Sequence, residues 1–282
     1  KGRNRFHSLE FKHGDGCKLR GLEERPVFYV QNVGEIKIKW HRPLPDGAGI
    51  QHVILKRSLG RWYVNLQIEI PDVEVPVHEG PAVGIDVGLS HILSCSDGTV
   101  YENPQGLQRI LQKLRRAQRR WSRRRKGSHR WRKTAFHVAQ LHEKIACQRR
   151  DFWHKTSREL VDTYSVIGVE DLTLTFMMKN HHLALSAHDA ALGMLRPILA
   201  YKAESAGSQV VAVNPRGTSQ RCSGCGTVVL KPLSCRVHRC PHCGLVEDRD
   251  INAARNILAL ALQSLGRSAQ AVTWAEVRPC VA

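Results

Sequence analysis

Cys222-Ser223-Gly224-Cys225, fourteen further residues, Cys240-Pro241-His242-Cys243, and then Asp248-Arg249-Asp250-Ile251-Asn252-Ala253-Ala254: the rest of the 282-residue chain is read from this stretch. Two Cys-x-x-Cys knuckles at that separation can place four thiolates around one tetrahedral zinc ion. A redox dithiol pair is the rival reading, and two such pairs so close together favour structural zinc. Four sulfur ligands leave no open position, so the metal is expected to shape the chain and not to catalyse. Cys235 and His238 do not share the tight two-residue spacing and read as loop residues. The acids Asp248 and Asp250 follow the second knuckle and open a helical pattern with Ile251, Ala254, Ile257, Leu258 and Leu262 on its buried face. Asp248 is expected to favour the helix N-terminus, where negative charge is stabilised by about 0.3–1 kcal/mol. Asn252 is a candidate to cap or orient the loop.

An acid beside a metal module directs attention to other acids. Ala82-Val83-Gly84-Ile85-Asp86-Val87-Gly88 is an apolar run broken by one carboxylate, and with Ile92–Cys95 and the turn Ser96-Asp97-Gly98 it predicts a hairpin. A carboxylate within a buried strand is costly unless something cationic compensates, and Gly84 and Gly88 leave room for a backbone or ligand to approach. Tyr164-Ser165-Val166-Ile167-Gly168-Val169-Glu170-Asp171 repeats the pattern and puts Glu170 at the carboxyl end of a strand, where sites in α/β sheets gather. A helix over 188–206 is predicted to kink at Pro197 and close at Gly207, and a strand follows at Gln209–Val213. Asp86, Glu170 and Asp250 then form a candidate set of hard oxygen ligands for two divalent ions, the requirement for phosphodiester hydrolysis. Without such ions the carboxylates would repel one another.

Charge points to the same substrate class. The formal net charge of +18 is too large for an enzyme of small metabolites and implies a polyanionic partner. Between Gln105 and Arg158, eighteen Lys or Arg face only Glu143 and Asp151, so one segment carries nearly all of the excess. Its apolar residues recur at helical spacing on either side of Gly127-Ser128, which predicts an antiparallel pair of long helices. Arg115, Arg116, Arg119, Arg120, Arg123, Arg124, Arg125 and Lys126 are the candidate nucleic-acid contacts. Phe152 and Trp153 read as packing residues, while Trp121 and Trp131 are left open between packing and base stacking.

The N-terminal part reads differently. Residues 1 to about 25 show no clear period, whereas 35–40 and 62–70 alternate strictly, with Ile36, Ile38, Trp40 and Trp62, Val64, Leu66, Ile68, Ile70 on their expected inner faces. Residues 1–78 are therefore taken as a small β module of barrel type, followed by a Pro-punctuated linker over 71–81. Lys37, Lys39, Arg42, Lys56 and Arg57 are available to phosphates, or serve only to solubilise the module. No apolar run is long enough to span a membrane and no signal-peptide core follows the first residues. Nine cysteines, four of them in metal-type pairs, fit a reducing compartment. The expectation is a soluble, intracellular protein.

Taken together, Gly84-Ile85-Asp86-Val87-Gly88, Val169-Glu170-Asp171-Leu172, Met178-Lys179-Asn180-His181, Thr218-Ser219-Gln220, the two knuckles and Asp248-Arg249-Asp250-x-Asn252-Ala253-Ala254-x-Asn256-Ile257 resemble the TnpB (OrfB) proteins of insertion sequences, relatives of type V CRISPR effectors. The resemblance spans about residues 30 to 265. It implies an α/β, RNase H-like (RuvC-type) nuclease fold with catalytic acids at Asp86, Glu170 and Asp250, which would hold Mg²⁺ or Mn²⁺. It also implies a structural zinc ribbon at Cys222, Cys225, Cys240 and Cys243, a guide RNA encoded by the element, and a matching target DNA. The corresponding division is a partial wedge-type β-barrel at 1–78, RuvC-like segments at 79–104, 159–215 and 247–265, a basic helical hairpin at 105–158, a zinc ribbon at 216–246 and a tail at 266–282. The chain reads as starting inside the barrel, short of an N-terminal portion that the family carries. A remnant that binds RNA or DNA without cutting is the main alternative. A guide-independent resolvase or integrase is disfavoured, because the zinc module interrupts the sheet before the last acid.

Overall fold

A computed structural model describes residues 8–21, 25–72, 74–172, 175–181, 183–232 and 234–266, so His182 and the expected tail beyond 266 lie outside the described residues. The chain divides into two compact units at Glu74/Val75. In the first unit, β1 (Ser8–Lys12), β5 (Gly49–Ser58) and β6 (Arg61–Glu69) form one antiparallel sheet, and β2 (Cys17–Arg20), β3 (Val27–Val30) and β4 (Gly34–Lys37) form another. Phe28, Val30, Val53, Leu55 and Cys17 make its core. The two sheets share this core, and among the described residues they form two separate three-stranded sheets.

Two expectations for this unit are corrected. Residues 8–20, aperiodic in sequence, contain two strands, because a single inward residue such as Phe11 or Cys17 suffices to anchor each short strand to the core. In β6 only Val64 and Leu66 pack on that core, while Trp62 is 56% exposed and Ile70, beyond the strand end, is 50% exposed. The alternation outruns the small core that it would cover. Trp40, likewise, lies past the end of β4.

The second unit is mixed α/β. Its five-stranded sheet has the order β11-β10-β7-β8-β9, with β7 (Ala82–Val87), β8 (His91–Cys95) and β9 (Val100–Glu102) antiparallel, and β10 (Val166–Glu170) and β11 (Gln209–Val213) continuing in parallel beside β7. All of β10 is buried, as expected for a strand covered on both faces. Between β9 and β10 run α1 (Gly106–Ser122) and the 35-residue α2 (His129–Thr163), started by the Ser128 side chain accepting from the Trp131 amide. Next come the short α3 (Thr175–Lys179), α4 (Ala184–Ala190), a 3-10 turn at Leu192–Met194 and α5 (Leu195–Ala206). The strands β12 (Val237–Arg239) and β13 (Val246–Asp248) precede α6 (Arg249–Ser264).

One face of the sheet, through Val83, Ile85, Ile167 and Val169, packs on Trp153, Leu160 and Val161 of α2 and on Leu195 and Leu199 of α5. Trp153 is fully buried and its indole N–H donates to the Ala190 carbonyl at 2.9 Å, so it is a packing residue, as expected. The helix expected over 188–206 is instead broken before α5. Ala191 adopts φ 50°, and Pro197 sits in the first turn of α5, where its missing N–H forfeits no helical bond. Gly207 closes α5 at φ 71° as expected. No helix among the described residues is long and apolar enough to cross a membrane.

Candidate active site and metal centre

Strand alternation sends residues 83 and 85 to the α2/α5 face and therefore turns Gly84 and Asp86 to the other; Gly168 and Glu170 follow the same rule on β10. Helix α6 lies on that second face. A Cβ on Gly84 would stand 2.0 Å from the Ala254 carbonyl oxygen and 2.5 Å from the Leu258 nitrogen, and one on Gly168 would meet the Ala261 Cβ at 2.9 Å. These two glycines let the helix seat directly on the strands, with Ile257, Ala261 and Val213 filling the contact. The seat brings the first turn of α6, and with it Asp250, to the strand ends that carry Asp86 and Glu170. Because Ile85 pairs with Val169, the two strand acids are lateral neighbours one step further on. Asp248 is the N-cap, its Oδ1 accepting from the amides of Asp250 at 2.7 Å and Ile251 at 3.3 Å, the capping role preferred from sequence.

The electrostatics follow from this grouping. Burial, then the Glu170 and Asp250 carboxylates, push Asp86 up from 3.8 to about 8, against the smaller opposing pull of Arg249 and the Val87 amide. Burial also raises Glu170, partly offset by the Thr218 hydroxyl, which donates to its Oε1 at 2.6 Å. Asp250 is held between Arg236 Nη1 and Arg249 Nε, each at 3.3 Å, and Arg236 also donates to Ser90 Oγ at 3.0 Å. The acids do not collapse into one ligand shell: among the described residues, the one group of three or more His, Cys, Asp or Glu with ligand atoms mutually within 4.8 Å is the cysteine set. Their all-carboxylate donor chemistry and mutual repulsion suit hard divalent cations.

That cysteine set is Cys222, Cys225, Cys240 and Cys243. The sulfurs of Cys222 and Cys243, and those of Cys225 and Cys240, are 3.6 Å apart, close to the roughly 3.8 Å edge of a tetrahedron with zinc–sulfur bonds of about 2.3 Å. Each knuckle is a tight turn, Gly226 N–H donating to the Cys222 carbonyl and Gly244 N–H to that of Cys240, with φ 76° and 78° at the two glycines. The cluster fits a zinc site. Cys235 stays outside it, its thiol donating to the Val237 carbonyl at 3.2 Å. His238 also stays outside but is no loop residue: it lies on β12, fully buried, with Lys231 at its Nδ1.

Helix α6 grips this module. Asn252 Oδ1 accepts from the Ser223 amide at 2.9 Å and its Nδ2 donates to the Arg221 carbonyl at 2.8 Å, so Asn252 orients the knuckle loop. Asn256 Nδ2 reaches the carbonyls of Thr218 and Arg221, at 2.8 and 2.7 Å, and Arg255 pairs with Glu247 at 2.8 Å. Sequence reasoning assigned no role to Thr218, Arg236, Arg249 or Asn256. Thr218 and Asn256 stood inside recognisable motifs, whereas Arg236 carried no local signal, since its partners lie 14 and 146 residues away.

The helical pair buries Leu114, Ala117, Val138 and Ile145 between α1 and α2. Trp121 and Trp131 meet with ring centroids 5.6 Å apart, and Trp121 packs against this core. Arg115, Arg116, Arg119, Arg120, Arg123, Arg124, Arg125 and Lys126 are all exposed, and none forms an ion pair among the described residues. Asp189 fixes the root of the hairpin: its buried carboxylate accepts from the amides of Leu107 and Gln108 at 2.8 and 3.1 Å, supplying the cap that Gln105 does not.

Comparison with known proteins places this geometry. Residues 65–181 match the OrfB_IS605 family, described as "Probable transposase", and residues 193–257 match the "Cas12f1-like, TNB domain". A "Putative RNA-guided DNA endonuclease" of Streptomyces pristinaespiralis is 41% identical over 230 residues, covering 80% of this chain and 57% of the relative. "Putative RNA-guided DNA endonuclease InsQ" of Escherichia coli (strain K12) is 34% identical over 266 residues, covering 88% and 65%. The chain thus spans between half and two thirds of the length of these relatives. In fold it is similar to the protein in the "Cryo-EM structure of the Cas12f1-sgRNA-target DNA complex", with a TM-score of 0.55 at 21% identity, covering 74% of this chain and 45% of that one. The chain is thus similar to the OrfB_IS605 family over residues 65–181 and to the Cas12f1-like TNB domain over residues 193–257.

Proposed function

We propose that this chain is the nuclease-bearing part of an RNA-guided DNA endonuclease of a transposable element, acting in the cytoplasm and hydrolysing DNA phosphodiesters at a RuvC-like site. The observation that carries the proposal is the convergence of Asp86, Glu170 and Asp250, from three separate segments, on one face and one end of the sheet, where burial and then the two neighbouring carboxylates push Asp86 to about 8. An antiparallel three-stranded meander continued by two parallel strands supports the RNase H-type reading of segments 79–104, 159–215 and 247–265. Mg²⁺ or Mn²⁺ held by the three acids would supply an activated water and charge stabilisation at the leaving oxygen. Thr218 holds Glu170 in place, and Arg236 and Arg249 fix the Asp250 carboxylate. Cys222, Cys225, Cys240 and Cys243 would hold zinc, which would keep the ribbon over 216–246 rigid against α6. The exposed basic residues of the hairpin over 105–158 contact nucleic-acid backbone, the β module over 1–78 serves as a partial wedge, and pairing between guide RNA and target DNA reads sequence.

The test is co-expression with the DNA flanking the reading frame, purification with any co-purifying RNA, and assay of Mg²⁺-dependent cleavage of matching DNA. Asp86→Ala, Glu170→Ala and Asp250→Ala are each expected to reduce cleavage to background with RNA still bound. Cleavage surviving all three refutes the catalytic assignment. RNA binding with no cleavage by the wild type would favour a binding-only protein.

A further inference from the structure

A cavity of about 500 Å³ opens beside Glu170 on the face of the sheet opposite α6. Val87 and Val169, at the carboxyl ends of β7 and β10, form one wall, and Leu195 and Pro197 of α5 form another, with Leu172 between them. Glu170 and Arg196 also border it, the latter an exposed guanidinium paired with Asp171. Apolar walls with a few convergent polar groups, at a size within the roughly 300–1,000 Å³ of small-ligand sites, describe a binding pocket. Glu170 ties this pocket to the acids. It ends β10, its carboxylate turned to the α6 face beside Asp86, while its neighbour Val169 lines the cavity.

We propose that this cavity seats one nucleobase of the strand being cut, the base next to the phosphodiester held at the acids. The proposal rests on the endonuclease reading and extends it to a subsite. A strand crossing the carboxyl ends of β7 and β10 with its phosphate at the acids has a flat base with apolar faces one sugar away, and the cavity opens at that same end, bordered by Val87, Val169 and Glu170. Arg196 at the rim suits the adjoining phosphate. Seating the base would restrain the backbone at the scissile position, and a base that is already unpaired is the least costly to seat in a pocket.

The experiment uses the full chain with its co-purified RNA and a matching strand carrying a single abasic unit at successive positions around the cut. At one position adjoining the cut, loss of the base is expected to lower kcat about tenfold or more in the wild type, from the contribution of a single seated base. Ala200→Trp places an indole into the cavity from an exposed α5 position and should erase that position-specific penalty; Ala200→Ser leaves the cavity open and should keep it. Folding of each variant is checked by Tm and zinc content. Equal tolerance of abasic units at every position in the wild type, or an undiminished penalty in Ala200→Trp, overturns the proposal. A second measurement does not depend on cutting: the same strands carrying 2-aminopurine and a hydrolysis-resistant linkage at the cut are bound in Mg²⁺. A fluorescence rise at one position is expected in the wild type and Ala200→Ser but not in Ala200→Trp. A rise at no position, or one that survives in Ala200→Trp, overturns the pocket. A pocket-dependent rise with no cutting of the unmodified strand rejects the endonuclease reading and retains the pocket, whereas cutting with neither response rejects the pocket alone.

Discussion

Thr218 shows how much of the site depends on single side chains. It is 4% exposed, its hydroxyl donates to Glu170 and its carbonyl is held by Asn256, so one residue links the start of the knuckle segment to a candidate catalytic acid. Thr218→Val keeps the volume and removes the donor. Loss of such an outer partner typically costs about 10–100-fold in metal affinity or activity, so the variant should need more Mg²⁺ for half-maximal cleavage, and Thr218→Ser should restore most of the difference. A Mg²⁺ titration, together with Mn²⁺ binding measured calorimetrically, checks this without relying on turnover alone. Asp86 makes a separate prediction about pH. Its folded value of about 8 lies above the ordinary 3.8, so between those values the folded chain keeps a proton that the unfolded chain has released. Stability from this group is therefore complete below pH 3.8 and is lost as pH rises toward 8. In divalent-free buffer the Tm should decline over that window, and Asp86→Asn should flatten the decline; identical profiles for the two proteins would contradict the crowding described above.

At the scale of elements, the decisive contact is α6 on β7 and β10. Gly84 could be suspected from sequence as a point of close approach, but what approaches it, the backbone of α6, comes from more than 160 residues later in the chain. Gly84→Ala must displace that helix, because both atoms nearest the new Cβ, at 2.0 and 2.5 Å, belong to backbone. Overpacking of this kind typically costs about 1–3 kcal/mol, occasionally more. Gly168→Ala meets a side-chain methyl at 2.9 Å and should cost less. Urea unfolding at unchanged m measures the order, and equal midpoints would show that α6 is not seated as described. The break between α4 and α5 marks the limit of periodicity. Pro197 was the visible punctuation, yet the chain turns at Ala191, whose left-handed conformation no local pattern announces.

At the scale of the whole molecule, charge and metal divide the work by region. The +18 net charge is concentrated on a hairpin whose basic residues are exposed while its apolar stripe is consumed in packing α1 on α2. Replacing Arg119, Arg120, Arg123 and Arg124 by Ala should weaken nucleic-acid binding. It should also flatten the dependence of log affinity on log salt by about 0.7 to 0.9 for each phosphate that the variant no longer neutralises. Fluorescence anisotropy from about 50 to 200 mM salt reads the slope; an unchanged slope would remove this hairpin from the interface.

Some of this protein is legible in the chain alone because its signals are short-range. Two Cys-x-x-Cys turns, an acid at a helix start, apolar runs carrying one acid and a block of like charge each depend on neighbours within a few residues. They identified the cysteine cluster, the two acid-bearing strands and the helical hairpin before any contact was known. What the tertiary structure decided was what depends on distant partners: that Gly84 and Gly168 let α6 lie on the sheet, that Thr218, Arg236 and Arg249 hold the acids, and that Asp189 caps a helix 82 residues earlier. The physical reason is that spacing along the chain encodes local geometry, whereas the burial and the neighbouring carboxylates that raise Asp86 to about 8 arise only once three separate segments are packed side by side.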